Sequence, residues 1–339
     1  MPSEPKILVT LGPSSLDKNI ISEMSKESIY LFRINLSHTQ IDDVEKIINK
    51  IRDYTDVPIC LDSEGAQLRN HSMENGEVFF RKEDKVKIHF NKVLVDIENI
   101  SFTPEHVKSQ LDVGDIISVD FNSVLLEIIE KNNDHFLANV NMGGKVGSNK
   151  AANVNKPIKL NTITSKDKEA IKIGREMGIH NYALSFANSA EDVLLMRKLI
   201  GEDSFLISKI ESFNGLKNLH GIIDVSDAIL IDRGDLSREV SQVKIPFLQR
   251  RIISLVKSRK KPVYVATNLL ESMTVNLQPT KAETNDVVST LLMGADGLVL
   301  AAETAVGNFP LESVRNIRNL INQYLAWTPN TTIDELLHE

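Results

Sequence analysis

The sequence predicts an α/β fold, a (β/α)8 TIM barrel with a small β-barrel lid domain inserted after the third strand. Three observations lead to this prediction. Short runs of valine, isoleucine and leucine alternate with longer stretches of helical periodicity, which is the pattern of βαβ units around a parallel sheet. Eight such runs are found, the number that closes a barrel of this type. One long gap, between the third and fourth runs, instead holds short alternating segments with turn residues.

The eight predicted strands are apolar, and most of them end in a polar residue. Helical periodicity fills most of the intervals between them, so successive strands are expected to be parallel. The strands are predicted at residues 6–10, 30–35, 58–62, 181–185, 205–211, 228–232, 262–267 and 297–300, and helices for example at residues 165–177, 190–200, 247–259 and 311–324.

The predicted insertion covers residues 66–153. The barrel then consists of residues 1–65 and 154–327, and residues 328–339 form a C-terminal tail. Within the insertion, strands are expected at residues 86–90, 116–120, 124–129 and 136–141, and turns are expected at Gly143, Gly144 and Gly147.

Composition and charge argue against several classes of protein. Hydrophobic residues make up 42% and charged residues 25% of the chain, which is ordinary globular usage and argues against disorder. No apolar stretch approaches the roughly 20 residues that a membrane span needs, so no membrane partner is expected. A net charge of -7 disfavours nucleic acid as a partner, because nucleic-acid binding needs a basic surface. The single cysteine, Cys60, rules out an internal disulfide and favours a cytoplasmic location.

Polar side chains follow the predicted strands at their C-terminal ends, where barrels of this type build active sites. Lys209 and Glu211 are two residues apart on one strand, so their side chains share a face and enter one cavity. Taken by themselves, Lys209 and Glu211 would be explained equally well by a structural ion pair. A chemical role is favoured because Asp235 and Thr267 are expected on the same face. The other strand-end residues of this kind are Arg33, Asn35, Ser37, Asp62, Ser63, Ser185, Arg233, Glu303 and Thr304.

Glu211 and Asp235 are candidate metal ligands. Two carboxylate oxygens suit Mg2+, which takes its remaining ligands from water and substrate oxygens. A metal there would polarise a carbonyl or an enolate. Gly234, inside the segment IDRGDL, would let backbone amides approach an anionic ligand, although a plain turn would also explain this glycine.

The motifs resemble those of the pyruvate kinase family, in the same order and across nearly the whole chain. Most of the segments that carry the resemblance lie at predicted strands or directly after them. They are KILVTLGPSS at residues 6–15, FRINLSH at 32–38, NMGGKVGSNK at 141–150, LISKIE at 206–211, RGDL at 233–236, ATNLLESM at 266–273, PTKAETND at 279–286 and GADGLVLAAETA at 294–305.

The resemblance implies phosphoryl transfer between phosphoenolpyruvate and ADP, giving pyruvate and ATP through a metal-stabilised enolate. It implies Mg2+ or Mn2+ at Glu211 and Asp235, with Asp235 and Gly234 also binding substrate. Lys209 would be catalytic, stabilising charge on the migrating phosphoryl group and on the enolate. Such chemistry needs positioning and charge neutralisation more than covalent catalysis.

Further residues take roles from the same resemblance. Arg33 would hold the phosphoryl group or the nucleotide phosphates, and Arg69 would assist from the hinge of the lid. Thr267 would lie beside the methylene carbon that is protonated. Closure of the lid would exclude water from the reaction. A potassium site is implied at Asn35, Ser37, Asp62 and Ser63.

The chain departs from the family pattern beside these residues. Family members usually read Thr-Lys-Gly-Pro-Glu after the third strand, where this chain has SEGAQ at residues 63–67, so a positive charge is lost. Phe121 and Asn122 replace the last two residues of an Asp-Asp-Gly turn, and Ala301-Ala302 replaces Ser-Gly. These changes leave open the phosphoryl acceptor, the oxo-acid and the dependence on potassium.

Two hypotheses stand beside pyruvate kinase activity. A diverged family member would act on another oxo-acid, enol phosphate or phosphoryl acceptor in a biosynthetic pathway, and the changes at residues 64–67 favour it. A non-catalytic ligand-binding homologue is the other, and the retention of Lys209 and Thr267 with both candidate metal ligands argues against it. The family's C-terminal regulatory domain is expected to be absent. The pathway and the oligomeric state stay open, a homo-oligomer included.

Overall fold

The computed structural model describes residues 4–65, 67–120, 122–156 and 158–337. Two compact units are present, one formed by residues 1–65 with 162–339 and the other by residues 66–161. The sequence-based division, with its second boundary between residues 153 and 154, differs from this at the return to the larger unit. Ala66, where the insertion is predicted to begin, and Phe121, in the altered turn, lie outside the described residues.

The strands are short and lie close to their predicted positions in the larger unit. In chain order they are β1 (Lys6–Leu11), β2 (Ile29–Asn35), β3 (Ile59–Asp62), β4 (Leu68–Asn70), β5 (Glu77–Phe80), β6 (Lys85–His89), β7 (Asn99–Thr103), β8 (Ile116–Val119), β9 (Val124–Lys131), β10 (His135–Met142), β11 (Gly144–Gly147), β12 (Ala151–Val154), β13 (Asn181–Leu184), β14 (Phe205–Ile210), β15 (Ala228–Asp232), β16 (Val263–Ala266) and β17 (Gly297–Leu300).

Eight strands of the larger unit form a closed parallel barrel, in the order β1, β17, β16, β15, β14, β13, β3 and β2. Each neighbouring pair is parallel, for example β14 with β15 and β2 with β3. The predicted fold class is therefore confirmed. Parallel pairing brings the C-terminal ends of all eight strands to one end of the barrel, where the predicted site residues of the larger unit lie.

The apolar residues of the barrel strands pack on two sides, because successive side chains point to opposite faces. One buried cluster fills the barrel interior and includes Leu8, Leu31, Cys60, Tyr264 and Val299. A larger buried cluster joins the outer strand faces to the helices. The barrel is thus a packed core, and only its ends are open to polar chemistry.

The helices of the larger unit alternate with its strands. In chain order they are α1 (Lys18–Ser25), α2 (Ile41–Arg52), α3 (Ser165–Glu176), α4 (Ala190–Ile200), α5 (Phe213–Lys217), α6 (Leu219–Val225), α7 (Arg233–Glu239), α8 (Ile245–Ser258), α9 (Lys281–Leu292), α10 (Ala302–Ala305), α11 (Pro310–Ala326) and α12 (Ile333–Leu337).

Asp167 fixes the loop that follows β3. It forms a capping box with Thr164 at the start of α3, so this helix begins where the sequence supplies a cap. The same buried carboxylate accepts a hydrogen bond from Glu64 N at 2.7 Å and another from Gly65 N at 3.4 Å. The segment with the altered residues is therefore anchored through its backbone.

The smaller unit contains a second closed barrel, in the order β10, β6, β7, β4, β12, β8 and β9, and a separate pair of strands, β5 with β11. The turn predicted at Gly144 is wrong, because this residue lies in β11, whereas Gly147 ends β11 directly before a turn at residues 148 and 149. A Cβ atom at Gly144 would come within 2.3 Å of Ser123 O. This glycine permits a close backbone approach and not a reversal of the chain.

The end of the described chain carries one short helix, α12, within the predicted tail at residues 328–339; residues 338 and 339 lie outside the described residues. Among the residues that the structure describes, no helix combines the length and the apolar character that crossing a membrane requires.

Candidate active site

Lys209 is the centre of a buried group of charges at the C-terminal ends of the barrel strands. It lies in β14 and is only 5% exposed. Its Nζ is 2.9 Å from Glu211 Oε1, 3.3 Å from Asp62 Oδ2 and 3.8 Å from Asp232 Oδ2, and it donates a hydrogen bond to Ser185 Oγ at 3.1 Å. Burial alone would lower the pKa of the Lys209 ammonium, but the three carboxylates outweigh burial and raise it. The side chain is therefore a permanent positive charge.

Glu211 follows β14 and is 1% exposed. Its Oε2 accepts a hydrogen bond from Phe186 N at 2.6 Å, whereas its buried Oε1 accepts none, although Lys209 Nζ lies nearby. Burial raises the pKa of the Glu211 carboxyl to about 8; Lys209 opposes this, and the neighbouring carboxylates, Asp232 first, add to it. A bound cation would therefore stabilise the ionised Glu211 carboxylate through Oε1.

Glu211, Asp232 and Asp235 bring one carboxylate oxygen each to within 4.8 Å of one another. Glu211 and Asp235 were predicted as ligands, but Asp232 was not. Its position as the last residue of β15 was a usable signal, because the other site residues also lie at strand ends. Oxygen donors of this type suit Mg2+ or Mn2+, and Oε1 of Glu211, which is ion-paired with Lys209 but accepts no hydrogen bond, fits such an ion.

Asp235 lies at the start of α7 and is only partly buried. Its Oδ1 forms an ion pair with Arg238 Nη1 at 2.9 Å, one helical turn further along. This pair places a positive charge directly on one of the two predicted metal ligands.

Thr267 follows β16 in a conformation that is rare for a β-branched residue, with φ of 69°. Its Oγ1 accepts a hydrogen bond from Gly234 N at 2.7 Å and lies 3.1 Å from Asp232 Oδ1 and 2.6 Å from Ala266 O. The structure therefore brings Thr267 to the acidic cluster, as predicted. The Gly234 amide, expected to face an anionic ligand, is here bound to the threonine hydroxyl.

Arg233 holds the backbone of Thr267 in place. Its Nε and Nη2 donate to Thr267 O at 3.1 and 2.6 Å, and its Nη1 is 2.6 Å from Asp286 Oδ2 on α9. A residue held in this part of conformational space costs about 1–3 kcal/mol and persists only where its surroundings impose the conformation. The Arg233–Asp286 pair provides that constraint.

Arg33 is buried in β2 and does not point freely into solution. Its Nη1 is 2.9 Å from Asp62 Oδ2, and its Nε donates to Thr10 Oγ1 at 2.8 Å. Asp62 Oδ2 is thus shared between Arg33 and Lys209, which links the two cations through one carboxylate.

Two of the four residues predicted to bind potassium, Asn35 and Asp62, end two neighbouring strands. The other two, Ser37 and Ser63, follow those strands. Asn35 and Asp62 are register partners of β2 and β3. Asn35 Oδ1 accepts from Ser37 N at 3.0 Å, and Ser63 Oγ accepts from Ser185 N at 2.9 Å. All four carry side-chain oxygens, the donor type that a hard monovalent cation requires.

Arg69 and Glu64, two further residues considered in the sequence, contact groups other than Lys209 and the acidic cluster. Arg69 belongs to the smaller unit, in β4, where its Nη1 donates to Asn149 O at 3.0 Å; its role at the site stays a prediction. Glu64, where a lysine was expected from the resemblance, pairs with Lys166 Nζ at 3.2 Å.

Comparison with known proteins gives concordant matches. The family described as "Pyruvate kinase, barrel domain" matches residues 3–314. A pyruvate kinase of Thermotoga maritima is 37% identical over 325 residues, covering 91% of this chain and 68% of that protein. One from Bacillus licheniformis is 32% identical over 330 residues, covering 94% of this chain and 56% of that protein. The crystal structure of a pyruvate kinase from Cryptosporidium parvum aligns with a TM-score of 0.83 and 28% identity, covering 96% of this chain and 70% of that one. The chain therefore spans little more than half the length of some curated relatives.

Proposed function

The chain belongs to the pyruvate kinase family, and from that premise we propose that it transfers a phosphoryl group between phosphoenolpyruvate and ADP, giving pyruvate and ATP. The observation that carries this proposal is the buried Lys209 ammonium, held among Asp62, Glu211 and Asp232 at the open end of the barrel. A fixed positive charge beside a cation site is what a developing enolate and a migrating phosphoryl group require.

Lys209 would stabilise the transition state without moving. Its raised pKa keeps it protonated, so it acts as an electrostatic group and not as a base. Because Asp62 and Ser185 already orient the ammonium, little reorganisation is needed when negative charge develops nearby. Arg33, oriented through the same Asp62, would bind the phosphoryl group or the nucleotide phosphates.

Glu211 and Asp235 would hold Mg2+ or Mn2+, and Oε1 of Glu211, which lies 2.9 Å from Lys209 Nζ but accepts no hydrogen bond, supports this assignment. Such an ion, when bound, supplies charge neutralisation at substrate oxygens. Thr267 would lie beside the carbon that gains a proton, with its hydroxyl oriented by Gly234 N. Gly234 and Arg69 would contribute to substrate binding.

Further assignments accompany this function. Asn35, Ser37, Asp62 and Ser63 would form a potassium site. The protein would act in the cytoplasm on small-molecule substrates, and self-association into a homo-oligomer is compatible with it.

One observation favours a second candidate, a diverged member that uses another oxo-acid or phosphoryl acceptor. Glu64 replaces the positive charge expected beside the phosphate region and is itself paired with Lys166. The acceptor side of the site is therefore less positive than the resemblance implies.

A coupled assay of pyruvate formation from phosphoenolpyruvate, ADP and Mg2+ tests the proposal. Turnover that is lost in Lys209→Met and kept in Lys168→Met, an exposed lysine of α3, supports it. Because Lys209→Met leaves buried carboxylates uncompensated, Glu211→Gln serves as a second variant. Metal-dependent exchange of the pyruvate methyl protons without turnover would favour the diverged member. Absence of both activities would leave only the non-catalytic homologue.

A further inference from the structure

The acidic cluster of the barrel mouth contains one carboxylate more than the resemblance implies. Asp232 ends β15 and is 5% exposed, and one of its oxygens lies within 4.8 Å of oxygens of both Glu211 and Asp235. A buried carboxylate is costly unless it is paired or coordinates a metal ion. The partners of Asp232 therefore decide its role.

The two oxygens of Asp232 have different surroundings. Oδ1 lies 3.1 Å from Thr267 Oγ1 and 3.5 Å from Asp235 N, so it caps the turn into α7. Oδ2 lies 3.8 Å from Lys209 Nζ, which is too long for a hydrogen bond but within reach of its charge. A capping role accounts for Oδ1 alone.

The charges of the cluster favour a divalent cation. Lys209 pairs with Glu211 at 2.9 Å and Arg238 pairs with Asp235 at 2.9 Å, whereas Asp232 Oδ2 lies 3.8 Å from the Lys209 ammonium, so Asp232 is the least compensated of the three carboxylates. Buried Oε1 of Glu211, which accepts no hydrogen bond, belongs to the same cluster. This oxygen, which is ion-paired with Lys209 at 2.9 Å but accepts no hydrogen bond, is the second sign that the cluster is built for a ligand.

We infer that Asp232 is a third carboxylate ligand of the divalent-cation site, alongside Glu211 and Asp235. The inference rests on the proposed function, because it concerns the cation that this function uses. Asp232 also joins the cation to Thr267 through its other oxygen, so metal binding and the orientation of the threonine hydroxyl are connected. Removal of its charge weakens the metal site without removing the cap, since an asparagine keeps the oxygen acceptor.

Mn2+ binding to the substrate-free protein tests the inference, measured from the free-ion electron paramagnetic resonance signal. Asp232→Asn is expected to bind Mn2+ at least about tenfold more weakly than the unsubstituted protein. Glu239→Gln, on the same helix as Asp235 but exposed, removes an equal charge outside the cluster and is expected to change the affinity less than twofold. An affinity of Asp232→Asn within twofold of the unsubstituted protein would overturn the inference.

Thermal unfolding separates a metal ligand from a merely structural residue. Without metal, Asp232→Asn relieves repulsion between carboxylates, so its Tm is expected to equal or exceed that of the unsubstituted protein. The rise in Tm on adding Mn2+ is expected to shrink in this variant. A lower Tm without metal, with an undiminished Mn2+ effect, would make Asp232 structural. If only Asp232→Asn leaves Mn2+ binding unchanged, the inference fails and the proposed function stands. If Glu211→Gln and Asp235→Asn also leave Mn2+ binding unchanged, the proposed function fails as well.

Discussion

Arg238 Nη1 lies 2.9 Å from Asp235 Oδ1, so a predicted metal ligand is already paired with a cation in this structure. The two side chains are one helical turn apart in α7 and about a quarter exposed, at 23% and 25%. A metal ion at Asp235 would therefore have to compete with the guanidinium or share the carboxylate with it.

Replacement of Arg238 by methionine is expected to tighten Mn2+ binding about tenfold, because a repelling charge beside the cation site is lost at a partly screened position. Titration of the substrate-free protein with Mn2+ would measure this. Arg251→Met, an exposed arginine of α8, is the matched control and is expected to change nothing. Weaker Mn2+ binding in Arg238→Met would mean that the arginine supports the site and does not oppose the ion.

Cys60 is expected to resist thiol reagents in the folded protein. It is 1% exposed inside the barrel, and burial, followed by the nearby Asp62, raises the pKa of its thiol despite opposition from Arg33 and Lys209. The thiolate is the reactive form, so both access and ionisation are reduced. Modification by a disulfide reagent at pH 8 should be at least a hundredfold faster in denaturant than in buffer. Rapid modification under native conditions would contradict the packed barrel interior.

Gly144→Ala is expected to destabilise the smaller unit by about 1–3 kcal/mol, since its Cβ atom would come within 2.3 Å of Ser123 O and force the backbone apart. Gly221→Ala is the control, because its Cβ would meet Ala190 at an ordinary 3.5 Å and alanine favours the α6 helix. Denaturant unfolding, monitored by hydrogen exchange of the amides within residues 66–161, would measure the difference in stability between the two variants. Equal stability of the two variants would show that β11 can move away from Ser123.

The barrel could be predicted from the sequence because its strands are continuous apolar runs that end in polar residues. Lys209 and Glu211 were assigned to one cavity from alternation along a single strand, which is a local rule. Asp232 and Arg238 could not be placed in this way, since their distances to Glu211 and Asp235 depend on the register of β14 with β15 and on the first turn of α7. Gly144 was misassigned because a glycine signals either a turn or a close backbone approach, and the sequence does not separate the two.

The Arg233–Asp286 pair is expected to support catalysis through Thr267, although neither side chain is predicted to contact substrate. Arg233→Lys cannot donate twice to Thr267 O while also reaching Asp286, so the threonine is expected to relax from its φ of 69°. The expected result is a fall in kcat of about ten- to a hundredfold with little change in KM for phosphoenolpyruvate. Asp286→Asn keeps an oxygen acceptor and should lose less activity than Asp286→Ala. A double-mutant cycle with Thr267→Ala provides the decisive measurement, because the two effects should not add if Arg233 acts through the threonine. Full additivity would assign Arg233 to general stability of the barrel and not to the position of Thr267.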